Sequence, residues 1–179
     1  VGSQRAALEN EELKGTYEVV RDYDPPLVFG NLGAPQFVDQ GDENPYGLGE
    51  GKKALEMIDG DYLAIHFNYL QEVAQPEGDL NAEGVLEQIS GLSEELPLIA
   101  KETGAGVSAS TAEEFKEAGF KAIDVGGMGG TSFSKVEYHR LKDEDEKELT
   151  RPLFDWGIPT PVTIRECSGT LPLISTGGI

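Results

Sequence analysis

The chain has 179 residues, 38% of them hydrophobic and 33 of them glycine or proline. That length predicts one domain over 1–179, with enough apolar surface to offset chain entropy, which excludes a disordered tail. Acidic side chains number 33 against 14 basic ones, a net charge of −19 that repels nucleic-acid phosphates and anionic lipid, so neither a nucleic-acid nor a membrane partner is expected.

The same charge works against compactness unless salt screens it, so a halophilic source is expected. The single cysteine, Cys167, permits neither an internal disulfide nor a cysteine metal cluster and suits a reducing cytoplasm. There is no apolar run of about 18 residues and hence no predicted transmembrane helix. The opening Val1-Gly2-Ser3-Gln4-Arg5 and the closing Ser175-Thr176-Gly177-Gly178-Ile179 both read as cut ends, so the chain is expected to be a fragment of something longer.

In chain order, a helix is predicted over Arg5–Leu13 after Ser3, a possible N-cap. Tyr17–Val20 reads as a short extended piece, and Leu27–Gly30 as a buried strand running into Asn31-Leu32-Gly33. Gly51–Ile58 places Ala54, Leu55 and Ile58 at helical spacing. The strand Leu63–Phe67 follows, then the polar loop Gln75–Asp79, a helix over Ala82–Ser93, and the strand Leu96–Ala100. Ser110 or Thr111 caps the next helix, which stops at Gly119. After the strand Lys121–Val125, the turn Gly126–Ser132 leads into a helix through Leu141. Asp143–Glu148 reads as a solvated charge run. Thr163–Glu166 lies in a helix, and Leu171–Ser175 is the last strand.

This alternation predicts an α/β protein with a parallel sheet and helical crossovers. A doubly wound sheet and a (β/α) barrel both fit. Polar residues follow nearly every strand: Asn31, His66 with Asn68, Lys101, Gly126 to Thr131, and Gly177-Gly178. A barrel gathers all such ends at one mouth, whereas an open sheet uses only its switch point. The barrel is therefore the expected fold, and since a full (β/α)8 TIM barrel takes about 250 residues, an incomplete one.

Three stretches carry chemistry. His66, Asn68, Gln71 and Glu72 put amides and one carboxylate at the mouth. Gln71 can orient a polar group without ionising, and Glu72 is a hard oxygen ligand suited to Mg²⁺ shared with a phosphate. The bland alternative is a polar loop with a hydrogen-bonded strand-end His66. Lys101, led into by Leu98-Ile99-Ala100, calls for an anionic partner, of which a flavin is one candidate. Gly126–Ser132 sets bare backbone N–H groups before a helix, an anion-binding arrangement to which Thr131 adds a hydroxyl; Gly177-Gly178 is a second such nest. His139 is expected on the surface and Trp156 as a packing anchor.

Taken together, these segments resemble the type 2 isopentenyl-diphosphate delta-isomerases. The resemblance is carried by Gly2-Ser3-Gln4-Arg5, Asn31-Leu32-Gly33-Ala34, His66-Phe67-Asn68 with Gln71-Glu72, and Gln75-Pro76-Glu77-Gly78-Asp79. It continues through Lys101–Gly106, Gly129–Ser132, Asp155–Thr160 and Gly177-Gly178. It implies an FMN-dependent (β/α)8 barrel that interconverts isopentenyl and dimethylallyl diphosphate by a 1,3-allylic proton shift, using reduced FMN primed by NADPH, together with Mg²⁺.

By position it implies that Ser3, Asn31, Lys101, Thr131, Gly177 and Gly178 hold FMN. Ser3, Gln4, Arg5 and Gln71 meet substrate, Gln71 near the reacting carbons with His66 and Asn68 lining the same pocket, and Glu72 ligates Mg²⁺. A homo-oligomer, a tetramer or octamer, is implied for the parent protein, which would lie in the cytoplasm. Phe133 departs from the tryptophan of many relatives. The amino-terminal Arg-Lys element and the last strands would lie outside 1–179, so this piece by itself is expected to hold FMN and Mg²⁺ poorly. Two other readings are an FMN barrel of the 2-hydroxy-acid oxidase type, for which His139-Arg140 is the only His-Arg pair, and a non-catalytic acidic binding module.

Overall fold

The computed structural model describes residues 1–41 and 44–179. Five strands form one parallel sheet: β1 (Phe29–Gly33), β2 (Tyr62–Phe67), β3 (Leu98–Glu102), β4 (Ala122–Asp124) and β5 (Leu173–Ile174), paired in sequential order. Helices α1 (Arg5–Glu9) and α2 (Gly15–Glu18) precede β1. Between strands lie α3 (Leu48–Ile58), α4 (Tyr69–Ala74), α5 (Val85–Ser90) and α6 (Ala109–Glu117). After β4 come α7 (Phe133–Arg140), α8 (Glu144–Thr150) and α9 (Thr160–Cys167). None of the described helices is long and apolar enough to cross a membrane.

Strand alternation separates two faces. Leu32, Leu63, Ile65, Leu98, Ala100, Ile123 and Val125 belong to one buried core with Ala54, Ile89, Ala112, Phe115 and Cys167 from the helices. Each large side chain fully buried there contributes about 1.5–3 kcal/mol. The opposite face carries Asn31, Ala64, His66, Ile99, Lys101 and Asp124, none of which joins that core. A doubly wound sheet reverses its strand order and covers both faces with helices. These five strands run in sequential order without a reversal, and the face opposite the core carries polar side chains at the strand ends.

Local chemistry places the helix ends. The Ser108 hydroxyl caps α6 by accepting from the Thr111 N–H at 3.2 Å, so the cap stands ahead of both predicted candidates. Asp143 caps α8, accepting from the Asp145 and Glu146 N–H groups at 2.9 and 3.1 Å. The charge run is thus a surface helix, stabilised by acids in its first turn. The predicted extended piece at 17–20 is instead helical, part of α2 and the 3-10 turn Val19–Tyr23; without a paired strand, local i→i+3 bonds satisfy its backbone better. The helix expected over 5–13 breaks at Asn10, whose extended backbone and side chain cap a separate turn.

Candidate functional site

Parallel pairing sets Gly33 beside His66, His66 beside Lys101, and Lys101 beside Asp124. Three polar side chains from neighbouring strands therefore share the face opposite the core at the C-terminal end of the sheet. Lys101 Nζ donates to Asp124 Oδ2 at 2.8 Å and to the Glu102 carbonyl at 3.3 Å. The other Asp124 oxygen accepts from the Thr176 hydroxyl and, at 3.3 Å, from the Gly126 N–H. The anionic partner that Lys101 requires is thus within the chain. Sequence reading missed Asp124; the signal was a lone acid in the apolar strand Ala122–Val125.

His66 Nδ1 lies 2.7 Å from Asn31 Oδ1, while Asn31 Nδ2 donates to the Val1 carbonyl at 3.2 Å. That arrangement makes Nδ1 the protonated nitrogen and leaves Nε2 an acceptor. Burial, with the Lys101 charge adding to it, lowers the His66 pKa to about 4, so the ring is neutral at pH 7. Asn68 Nδ2 donates to Glu72 Oε1 at 2.6 Å, and the Asp79 N–H donates to Glu72 Oε2 at 3.0 Å. Asn68 Oδ1, buried, has no partner among the described residues.

Two adjoining hollows open at this end. One, of about 410 Å³, is lined by Lys101, Gly126, Gly127, Thr131, Gly177 and Gly178, among others. The second, of about 240 Å³, includes Gln71, Thr131, Ser132 and Trp156. Glu102, Thr103, Gly104, Gly130, Thr131 and Phe133 form the wall they share. Gln71, Thr131 and Lys101, far apart in sequence, thus meet around one wall.

The glycines are required by backbone approach. A Cβ on Gly177 (φ +97°) would stand 2.1 Å from the Gly127 carbonyl oxygen, and one on Gly178 (φ +70°) 2.2 Å from that of Gly129. The two nests interlock. Among the described residues, the N–H groups of Gly129, Gly130 and Thr131 have no protein acceptor, as an anion cradle needs. By contrast, Gly104, Ala105 and Gly106 donate to Glu102 Oε2 at 2.6, 2.5 and 3.1 Å, so that loop is filled by its own carboxylate. Burial nonetheless raises the Glu102 pKa.

Gln71 Nε2 donates to Glu137 Oε1 at 2.8 Å, Gln75 Nε2 to the same oxygen at 3.1 Å, and Arg140 to Glu137 Oε2. Glu137 is 3% exposed. It went unnoticed in the sequence, although Ser134, Glu137 and Leu141 at i, i+3 and i+7 mark the buried stripe of α7. Arg140 also pairs with Glu77, and His139 is exposed, which leaves the adjacent His139-Arg140 pair without a shared site.

Other expected site residues fall elsewhere. Gln4 is fully buried; it donates to the Ala54 carbonyl at 2.8 Å and accepts from the Asn31 N–H at 2.9 Å, pinning the leading segment to α3 and β1. Its side chain is closed to a ligand. Arg5 pairs with Asp79 at 2.9 Å and Glu9 at 2.7 Å beside a separate hollow of about 210 Å³. Ser3 is exposed. His66, Asn68 and Glu72 line neither large hollow. Trp156, expected as a packing anchor, is 65% exposed, because the tight Gly157 turn (φ +147°) presents it on the rim. Among the described residues no three His, Cys, Asp or Glu side chains gather as a metal cage. Glu72 fits Mg²⁺ only as a single carboxylate sharing the ion with phosphate oxygens, which that ion accepts.

No protein-family model matches the chain. Curated proteins do. The chain is 50% identical, over its whole length, to a protein of Archaeoglobus fulgidus named isopentenyl-diphosphate delta-isomerase, covering 51% of that protein. Relatives of the same name from Thermococcus kodakarensis (50% identical, 49% of the relative covered) and Methanococcus aeolicus (49% identical, 53% covered) also match along the entire chain. The chain therefore spans about half the length of the curated relatives it matches.

Proposed function

We propose that this chain carries the cofactor- and substrate-facing part of an isopentenyl-diphosphate delta-isomerase of the FMN-dependent type, on an arc of a (β/α)8 barrel. The observation that carries the reading is the shared wall around which Lys101, Thr131 and Gln71 meet. The named relatives support the reaction. FMN, Mg²⁺, priming by NADPH, a tetrameric or octameric parent and a cytosolic location are finer elements of this proposal.

The larger hollow, about 410 Å³, is within the usual range for cofactor sites, roughly 300–1,000 Å³. Its lysine, its threonine hydroxyl and the free N–H groups of Gly129–Thr131 suit a phosphorylated flavin, with Lys101, Thr131, Gly177 and Gly178 as its holders. Asn31 acts here through His66, whose neutral ring it fixes. When bound, reduced FMN supplies proton transfer at an unactivated carbon, which the side chains here do not offer.

The chain's own residues bind and orient. Gln71 positions the substrate's reacting carbons, with Glu137 clamping its amide. Glu72, held by the Asn68 amide and the Asp79 N–H, would meet Mg²⁺ on the diphosphate by releasing one of them, and the ion would offset repulsion from a chain of net charge −19. Ser3 and Arg5 stand toward the diphosphate end, Arg5 exchanging Asp79 for phosphate, and Gln4 serves by holding that segment. His66 and Asn68 line neither hollow and serve the pocket indirectly, His66 through its contact with Asn31 and Asn68 by holding the Glu72 carboxylate.

The test uses protein expressed from its complete reading frame, supplied anaerobically with FMN, NADPH, Mg²⁺ and isotopically labelled isopentenyl diphosphate. Dimethylallyl diphosphate should form, should cease on chelation of Mg²⁺, and should fall at least tenfold in Gln71→Asn. Absence of product with every cofactor present overturns the reading.

A further inference from the structure

The Lys101–Asp124 pair is more than a strand-end salt bridge. Asp124 is 8% exposed, and both its oxygens are engaged: one by the Lys101 ammonium at 2.8 Å, the other by the Thr176 hydroxyl and the Gly126 N–H. Thr176 directly precedes Gly177-Gly178, and Gly126 opens the first glycine turn. One carboxylate thus ties the lysine to both glycine loops that line the 410 Å³ hollow with it. The nearby Glu102 carboxylate is committed to its own loop and meets Lys101 only through its carbonyl.

We propose that Asp124 is a positioning residue for the cofactor hollow, fixing where the Lys101 ammonium sits and neutralising it toward a bound flavin. The proposal rests on the flavin reading of the hollow. The Lys101 side chain is 27% exposed, and a part-buried ammonium without a counter-ion favours an anionic ligand. Two-electron reduction of a flavin, with uptake of one proton, leaves a negative charge near N1. With Asp124 present the pair is close to neutral, so the hollow does not over-stabilise that anion. In Asp124→Asn the amide oxygen can still accept from Lys101 and the amide nitrogen can donate to the Thr176 hydroxyl oxygen, while the Gly126 N–H loses its 3.3 Å acceptor. Side-chain size is kept, and one negative charge and that one long hydrogen bond are lost.

Two measurements test this on protein from the complete reading frame. In the apo protein, amine labelling of Lys101 by acetic anhydride is read by peptide mass spectrometry against exposed Lys116. Asp124→Asn should raise the Lys101 to Lys116 ratio at least threefold. In the FMN-loaded protein, dithionite titration against a reference dye gives the affinity of reduced over oxidised FMN. Asp124→Asn should raise that ratio about tenfold, near 30 mV for a two-electron couple. In the Lys101→Met background the same substitution should change it less than twofold, because Asp124 acts through the ammonium. That double variant leaves no charge unpaired, so it remains informative if Asp124→Asn alone does not fold.

An unchanged labelling ratio, an unmoved flavin ratio, or a full-sized effect in the Lys101→Met background each overturns the proposal. Failure of the wild-type protein to take up FMN overturns the flavin reading instead. The pairing of Lys101 with Asp124 is then decided by the labelling ratio alone, and the role toward a flavin falls with that reading.

Discussion

Gln71 on α4 and Glu137 on α7, 66 residues apart in sequence, meet through a 2.8 Å hydrogen bond from amide to buried carboxylate. Gln75 and Arg140 complete the carboxylate's shell. Charge-assisted hydrogen bonds are short and strong, and three donors converge on one side chain. Glu137→Ala, which takes the acceptor from Gln71 and Gln75 and leaves Arg140 only its Glu77 pairing, should lower stability by about 1–2 kcal/mol, measured by urea denaturation. Glu137→Gln keeps the shape and should cost less than half as much, while still lowering turnover in the proposed isomerisation because Gln71 loses its fixed orientation.

His66 gives a pH signature. Its folded pKa of about 4 lies below the unfolded value of 6.5, so the unfolded chain binds the proton more tightly. This contribution to stability is complete above pH 6.5 and is lost as pH falls toward 4. By pH 4.5 the loss should reach about 2–3 kcal/mol. Denaturation midpoints of wild type and His66→Gln between pH 7 and 4.5 isolate it: the wild type should lose more. Parallel curves would refute the burial of a neutral ring.

Gly177 and Gly169 separate two effects of adding a methyl group. Both have positive φ, +97° and +91°, but a Cβ on Gly169 meets nothing within 4 Å. Gly169→Ala should cost about 1–2 kcal/mol from backbone strain alone. Gly177→Ala adds the clash with Gly127 and should cost visibly more in thermal denaturation, with weaker retention of the proposed FMN.

The net charge of −19 predicts salt dependence. Raising KCl from dilute buffer to the molar range should increase the unfolding midpoint, since screening relieves self-repulsion. Equal midpoints across that range would remove the halophilic reading.

Much of this molecule was legible along the chain. Apolar runs bounded by polar residues marked all five strands, since a strand covered by helices on its core face is short and mostly apolar. Gly119 (φ +90°) marked the end of α6, because few other residues adopt that backbone conformation cheaply. The motif residues Lys101, Thr131 and Gln71 were found because unusual side chains at strand ends stand out against apolar neighbours. Less legible were α4 and α8, short helices dense in polar or charged residues, whose apolar periodicity is too weak to read.

By itself, then, the order of residues determined the alternating parallel architecture, the acidity and the candidate residues, because these depend on local spacing and composition. The pairing of Asp124 with Lys101, the grip of Glu137 on Gln71, the burial of Gln4 and the exposure of Trp156 were decided only in three dimensions. Each depends on strand register or helix docking between residues distant in the chain, and a one-residue shift in register would send a side chain to the opposite face.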